Sequence, residues 1–191
     1  MNPNDPHHGQ PLFVAGDALE NARAVMVLLH GRGASAQDIL SLAQELPSAG
    51  FCFLAPQAAD STWYPYRFLE PMERNEPWLS SALNVVDTVL ARIRKAKFPS
   101  ERTMLLGFSQ GACLALEYAA RHAQKYGGIV GLSGGLIGPD GTPRDYMGRF
   151  HQTPVFLGCS DADFHIPKER VIETTEVFQV MGAEVTMRLY P

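Results

Sequence analysis

The run Arg102-Thr-Met-Leu-Leu-Gly-Phe-Ser-Gln-Gly-Ala-Cys-Leu-Ala-Leu constrains this chain more than any other, because it writes an apolar strand, a glycine-flanked serine and a helix without a break. Met104 to Leu106 are continuously apolar, as in a strand covered on both faces, and the run from Ala112 to Tyr126 carries helix formers and no proline. Gly107 and Gly111 flank Ser109 at the G-x-S-x-G spacing, where a side chain would collide with a tightly turned backbone. A sharp strand-to-helix turn of this kind lifts the serine hydroxyl out of the sheet. The stretch therefore predicts a nucleophile elbow centred on Ser109. A plain serine in a glycine-rich turn is the competing reading, and the strand before and the helix after it weigh against that.

The rest of the chain repeats the strand-helix alternation. Pro11 to Ala15 predicts a short first strand and Ala24 to Leu29 a firmer one, which breaks at His30-Gly-Arg-Gly33. The glycines on either side of Arg32 let the backbone turn and leave a main-chain N–H exposed, as an oxyanion hole requires of the loop after an early strand; an ordinary strand-to-helix turn is the competing reading. Ser35 is the expected N-cap of a helix from Ala36 to about Leu46, stopped by Pro47 and Gly50, and Phe51 to Leu54 is the next strand. A strand, a helix and a second strand make a βαβ unit, hence a parallel sheet.

From Ala55 to Pro77 there is no periodicity but a concentration of large side chains, Trp63, Tyr64, Tyr66, Phe68, Leu69 and Met72. A loop this long is expected to be functional, and its aromatics argue against disorder. Trp63, Tyr64 and Phe68 are the expected wall of a substrate pocket; alternatively they pin the loop over the core. Glu76 to Ala96 reads as a long amphipathic helix with cations near its C-terminus. Gly128 to Leu132 and Val155 to Leu157 are strands, a helix follows from about Lys168 to Met181, and Glu184 to Leu189 alternates as an edge strand with one wetter face. The whole predicts one α/β domain over 1–191, a mostly parallel sheet with helices on both faces, and residues 1–10 as a flexible tail.

Composition narrows the function classes. A net charge of -4 gives no reason to expect nucleic acid, and no window approaches a membrane span. No basic region followed by an apolar stretch opens the chain, so a cytoplasmic protein is expected. Cys52, Cys113 and Cys159 lie in or beside apolar segments without C-x-x-C spacing and read as buried free thiols, not as disulfides or metal ligands.

A serine hydroxyl is a weak nucleophile at neutral pH, so Ser109 needs a histidine to take its proton and a carboxylate to orient that histidine, in the chain order Ser, acid, His. Asp161 and Asp163 both follow a strand after the elbow, and either could instead cap the helix near Pro167. Leu29-His-Gly-Arg-Gly, Gly107-Phe-Ser-Gln-Gly, Leu132-Ser-Gly-Gly and Asp161-Ala-Asp-Phe-His-Ile-Pro together resemble the successive motifs of the phospholipase/carboxylesterase family of α/β-hydrolases, which includes the acyl-protein thioesterases. The resemblance implies the α/β-hydrolase fold, Asp163 as the acid, main-chain oxyanion donors at Arg32 and Gln110, and hydrolysis of carboxylic esters or thioesters through an acyl-serine without metal or organic cofactor. Arginine inside the H-G-x-G turn departs from the apolar residue of the thioesterase branch, which weakens the case for acyl-protein substrates. The family continues past the tyrosine of the last strand to a catalytic histidine and a closing helix, whereas here the sequence ends at Tyr190-Pro191. The expectation is that the natural protein extends beyond Pro191 and finds its base there. His165 lies beside the acid, two residues from Asp163, and is expected either to line the pocket mouth or simply to be exposed. The alternatives are a non-catalytic binding protein on the same fold, or lysophospholipid hydrolysis or acyl transfer by the same site.

Overall fold

The computed structural model describes residues 5–46 and 49–191. Seven strands form one sheet: β1 (Leu12–Gly16), β2 (Ala24–Leu29), β3 (Phe51–Pro56), β4 (Thr103–Phe108), β5 (Gly128–Leu132), β6 (Pro154–Ser160) and β7 (Glu184–Tyr190). Their spatial order is β1-β3-β2-β4-β5-β6-β7. Only β1 runs antiparallel, against β3; every other pairing is parallel. The apolar runs of β2 and β4 lie side by side in the middle, Leu29 opposite Gly107, so the two loops singled out in the sequence leave the sheet next to each other.

Among the described residues four α-helices cover the sheet: α1 (Ala36–Leu42), α2 (Trp78–Lys95), α3 (Gln110–Arg121) and α4 (Lys168–Val180). Alternate strand residues divide between the faces. Val25, Val27, Leu29, Leu54, Leu105, Ile129 and Leu157 pack with α2, α3 and α4 in the larger core, whereas Met26, Leu28, Phe53 and Leu106 meet Ile39 of α1 in a smaller one. Ser35 caps α1 through a reciprocal pair with Asp38, as its position predicts. The helix is shorter than expected, passing into a 3₁₀ turn at Ala43–Glu45; the expected stop at Pro47 lies outside the described residues.

Helix α3 is buried on all sides from Gln110 to Ala120, which makes it the central helix of the larger core. It ends at Arg121 and not near Tyr126, because His122 leaves helical geometry and the Tyr126 side chain folds back, its hydroxyl donating to the His122 carbonyl at 2.9 Å. Two buried charges on this side are paired. Glu117 meets Arg121 at 2.7 Å within α3 and accepts the Ile137 N–H at 3.1 Å, and Arg170 of α4 meets Glu173 at 2.7 Å and Asp140 at 2.8 Å, so the long loop after β5 is tied to α3 through Ile137 and to α4 through Asp140. In β7 the expected alternation is present, with Thr186 and Arg188 exposed and Val185, Met187 and Leu189 packed against the core.

The N-terminal segment departs from the expected tail. Within the described part, Asp5 to Gln10, His7 is 2% exposed and hydrogen-bonds to residues 56 and 74 positions away in sequence. The three cysteines are free and buried.

Candidate active site

Ser109 sits between β4 and α3 at φ 52° and ψ -118°, a backbone conformation that costs a non-glycine residue of order 1–3 kcal/mol. The surroundings hold it there: its N–H donates to the Leu132 carbonyl of β5 at 2.8 Å, and its carbonyl accepts from Cys113 N–H at 3.0 Å. Both flanking glycines are needed for the same turn. A Cβ on Gly107 would enter the main chain of Gly111, and one on Gly111 would enter the carbonyls of Leu29 and His30. The serine side chain makes no capping bond to its own helix, so its hydroxyl is left available.

The amide of Gln110 opens α3 and is one of the first-turn donors without an intrahelical partner, at the positive end of a twelve-residue helix. The Gln110 side chain is turned inward. Its Oε1 accepts from Trp63 N–H at 2.9 Å and its Nε2 donates to the Tyr64 carbonyl at 2.8 Å, locking the loop after β3 against the elbow. Arg32 holds the same loop from outside, its guanidinium donating to the carbonyls of Tyr64, Pro65 and Tyr66 at 2.7 to 2.8 Å. Main-chain amides of Arg32 and Gln110 make no hydrogen bond among the described residues. The clamp formed by these two side chains was missed by sequence reasoning, which singled out only their main-chain groups. An arginine between two glycines is the one local signal that could have found it.

Asp163 follows β6. Its Oδ1 accepts the N–H groups of His165 at 2.8 Å and Ile166 at 3.0 Å, which orients the carboxylate; among the described residues Oδ2 has only the Cys159 thiol, 3.9 Å away. Asp161 is exposed at the sheet's end. A cleft of about 780 Å³ brings together Ser109, Gln110, Arg32, Tyr64, Phe68, Cys113, His165 and Ile166. Its size is that of a small-molecule site. Cys113 lines it one turn beyond Ser109, but burial pushes its thiol up to about 12, so it remains neutral and does not compete as a nucleophile.

Of the three expected wall residues, Tyr64 and Phe68 line the cleft and Trp63 does not. Trp63 is fully buried behind it, its indole N–H donating to the His30 carbonyl at 2.9 Å; it supports the loop and touches no substrate space. Among the described histidines only His165 borders the cleft. His7 and His30 are buried, and His122, stacked on Tyr118, and His151 are exposed elsewhere. Among the described residues no three His, Cys, Asp or Glu side chains cluster as a metal site, and no helix is long and apolar enough to cross a membrane.

The model of the phospholipase/carboxylesterase family matches residues 13–191. The chain belongs to that family. A crystal structure of a phospholipase/carboxylesterase from Dyadobacter fermentans superposes with a TM-score of 0.93 at 43% identity, covering 96% of this chain and 88% of that one. Acyl-protein thioesterase 1 of Saccharomyces cerevisiae is 29% identical over 181 residues, 84% of this chain and 79% of the relative. A carboxylesterase of Bacillus cereus, at 18% identity and a TM-score of 0.73 over 95% of this chain and 85% of that one, shares the fold.

Proposed function

We propose that the protein hydrolyses carboxylic esters or thioesters of small to medium acyl groups, with Ser109 as nucleophile, Asp163 as the acid of its triad, and the amides of Arg32 and Gln110 as oxyanion donors. The observation that carries this reading is the strained elbow that presents Ser109 to a cleft at the head of α3. Attack on the substrate carbonyl forms an acyl-serine and releases the alcohol or thiol; water then releases the acid. Negative charge on the tetrahedral oxygen develops where a first-turn amide and the helix dipole face it, which stabilises the transition state more than the ground state. Tyr64, Phe68 and Ile166 supply apolar surface for the acyl chain. The free buried cysteines suit a reducing compartment, and we place the protein in the cytoplasm.

The substrate assignment is tested with p-nitrophenyl esters of increasing chain length. Each methylene that enters the cleft is expected to raise kcat/KM about fourfold, from ~0.8 kcal/mol of burial, until the space is filled. A flat profile removes the acyl-pocket assignment. The proton acceptor is tested in the protein expressed from its complete reading frame. His165 is exposed and follows Asp163 by two residues, its own amide bound to that carboxylate. His165→Ala is expected to lower kcat less than about tenfold, against roughly 10⁴-fold or more for loss of a general base. The larger loss would make His165 the base.

A further inference from the structure

The N-terminal segment that the sequence marks as a tail carries a buried imidazole, His7, aimed at the back of the site. His7 Nδ1 accepts the N–H of Ala59 at 3.0 Å and its Nε2 faces the Trp63 carbonyl at 3.0 Å, while its main-chain N–H donates to Ser81 Oγ of α2 at 3.0 Å. An amide donor on Nδ1 and a carbonyl on Nε2 allow only the neutral ring protonated at Nε2. His30 makes a matching pair of contacts from the other side: Nδ1–H donates to Gly31 O at 2.8 Å and Nε2 accepts the N–H of Ala58 at 3.1 Å. The two rings flank Trp63, with centroids 5.5 and 5.1 Å from its indole, and the edge of Trp78 meets His7 at 5.4 Å. Trp63 in turn donates its main-chain N–H to Gln110 Oε1. An unbroken set of contacts thus runs from His7 through Trp63 to the residue beside Ser109.

We propose that His7 is a positioning residue for the Gln110 oxyanion donor, acting through the 58–64 loop, and that its protonation releases that loop. This rests on the assignment of Ser109 and Gln110 above. His7 touches no cleft space and so cannot itself contact substrate. The groups facing it are Asp5, His30 and Asp60, with Arg92 of α2 lining the adjoining cavity; His8 lies 3.8 Å from Asp5, and Asp38 acts on His30. Burial holds both imidazoles below the usual histidine value of 6.5. A lowered folded-state pKa means the unfolded chain binds more protons, so the contacts contribute fully above 6.5 and are lost as pH falls through the folded value. Protonated Nδ1 of His7 would face the Ala59 amide, donor against donor.

The test combines activity with backbone exchange in the full-length protein. Hydrogen exchange across residues 58–66 is expected to rise in both His7→Ala and His7→Gln, which lose the acceptor for Ala59; unchanged protection overturns the coupling whether or not the protein is active. At pH 8, His7→Ala is expected to lower kcat for p-nitrophenyl acetate about 10- to 100-fold, the scale of a small displacement of a catalytic group, with KM changed less than threefold. His7→Gln keeps a donor to the Trp63 carbonyl and cannot ionise; it should recover part of the kcat and, along the acid limb followed downward from pH 6.5 until the wild-type loop opens by hydrogen exchange, hold more of its pH 8 rate than wild type. A folded His7→Ala with wild-type kcat, or a His7→Gln acid limb that superposes on wild type, overturns the positioning role. Should His7→Ala not fold, the His7→Gln profile decides. An inactive wild type would instead defeat the assignment of Ser109, and the exchange measurement would still judge the His7 contact.

Discussion

Ser109→Ala is expected to lower kcat by about 10⁵- to 10⁶-fold, the loss measured when a triad nucleophile is removed and only binding and oxyanion contacts remain. The same change should leave the thermal midpoint nearly unaltered. The hydroxyl makes no capping bond, and the strained conformation is imposed by main-chain bonds to Leu132 and Cys113 and by Gly107 and Gly111, all of which alanine preserves. Steady-state kinetics beside a calorimetric melt separate the two effects. An active Ser109→Ala protein would mean the cleft reacts through another group or binds without chemistry. The neutral thiol of Cys113 makes it a poor substitute.

The second large effect is expected at Asp163, and here the choice of substitution matters. The carboxylate has a structural duty, accepting two main-chain N–H groups at Oδ1, as well as the proposed catalytic one at Oδ2. Asp163→Ala would remove both. Asp163→Asn keeps an oxygen for the amides of His165 and Ile166 while replacing the charge that would orient and stabilise an imidazolium, so it should fold normally and lose about 10⁴-fold in kcat, the cost of the same change in a serine protease triad. A loss below tenfold with an unchanged fold would reduce Asp163 to a capping residue and return Asp161 to consideration.

The sequence carried the elements whose cause is local. The apolar runs of β2 and β4, the glycines around Ser109 and the Ser35 cap each follow from a few neighbouring residues, and each stands where expected. Asp163 is also where its motif put it, at the end of β6 and bonded into its own loop. Sequence reasoning stopped where contacts span the chain. For Trp63 the sequence leaves pocket wall and loop pin both open, because an aromatic in a long loop looks alike whether it faces substrate or lies behind it; the partners His30 and Gln110, 33 and 47 residues away, set its direction as a pin. His7 read as tail because proline, asparagine and histidine are polar in composition, although the ring is satisfied on both nitrogens once Ala59 and Trp63 fold over it. Arg32 was read for its amide alone, since three acceptor carbonyls from one loop are visible only after that loop has turned.

The decisive measurement is covalent labelling of the protein expressed from its complete reading frame with a fluorophosphonate, followed by peptide mapping. An activated serine displaces fluoride and gains one phosphonyl group. A single adduct on the peptide bearing Ser109, lost in Ser109→Ala and slowed in Asp163→Asn, is the expected result. Folded protein that gains no adduct at Ser109 would contradict the assignment of this site as a serine hydrolase centre.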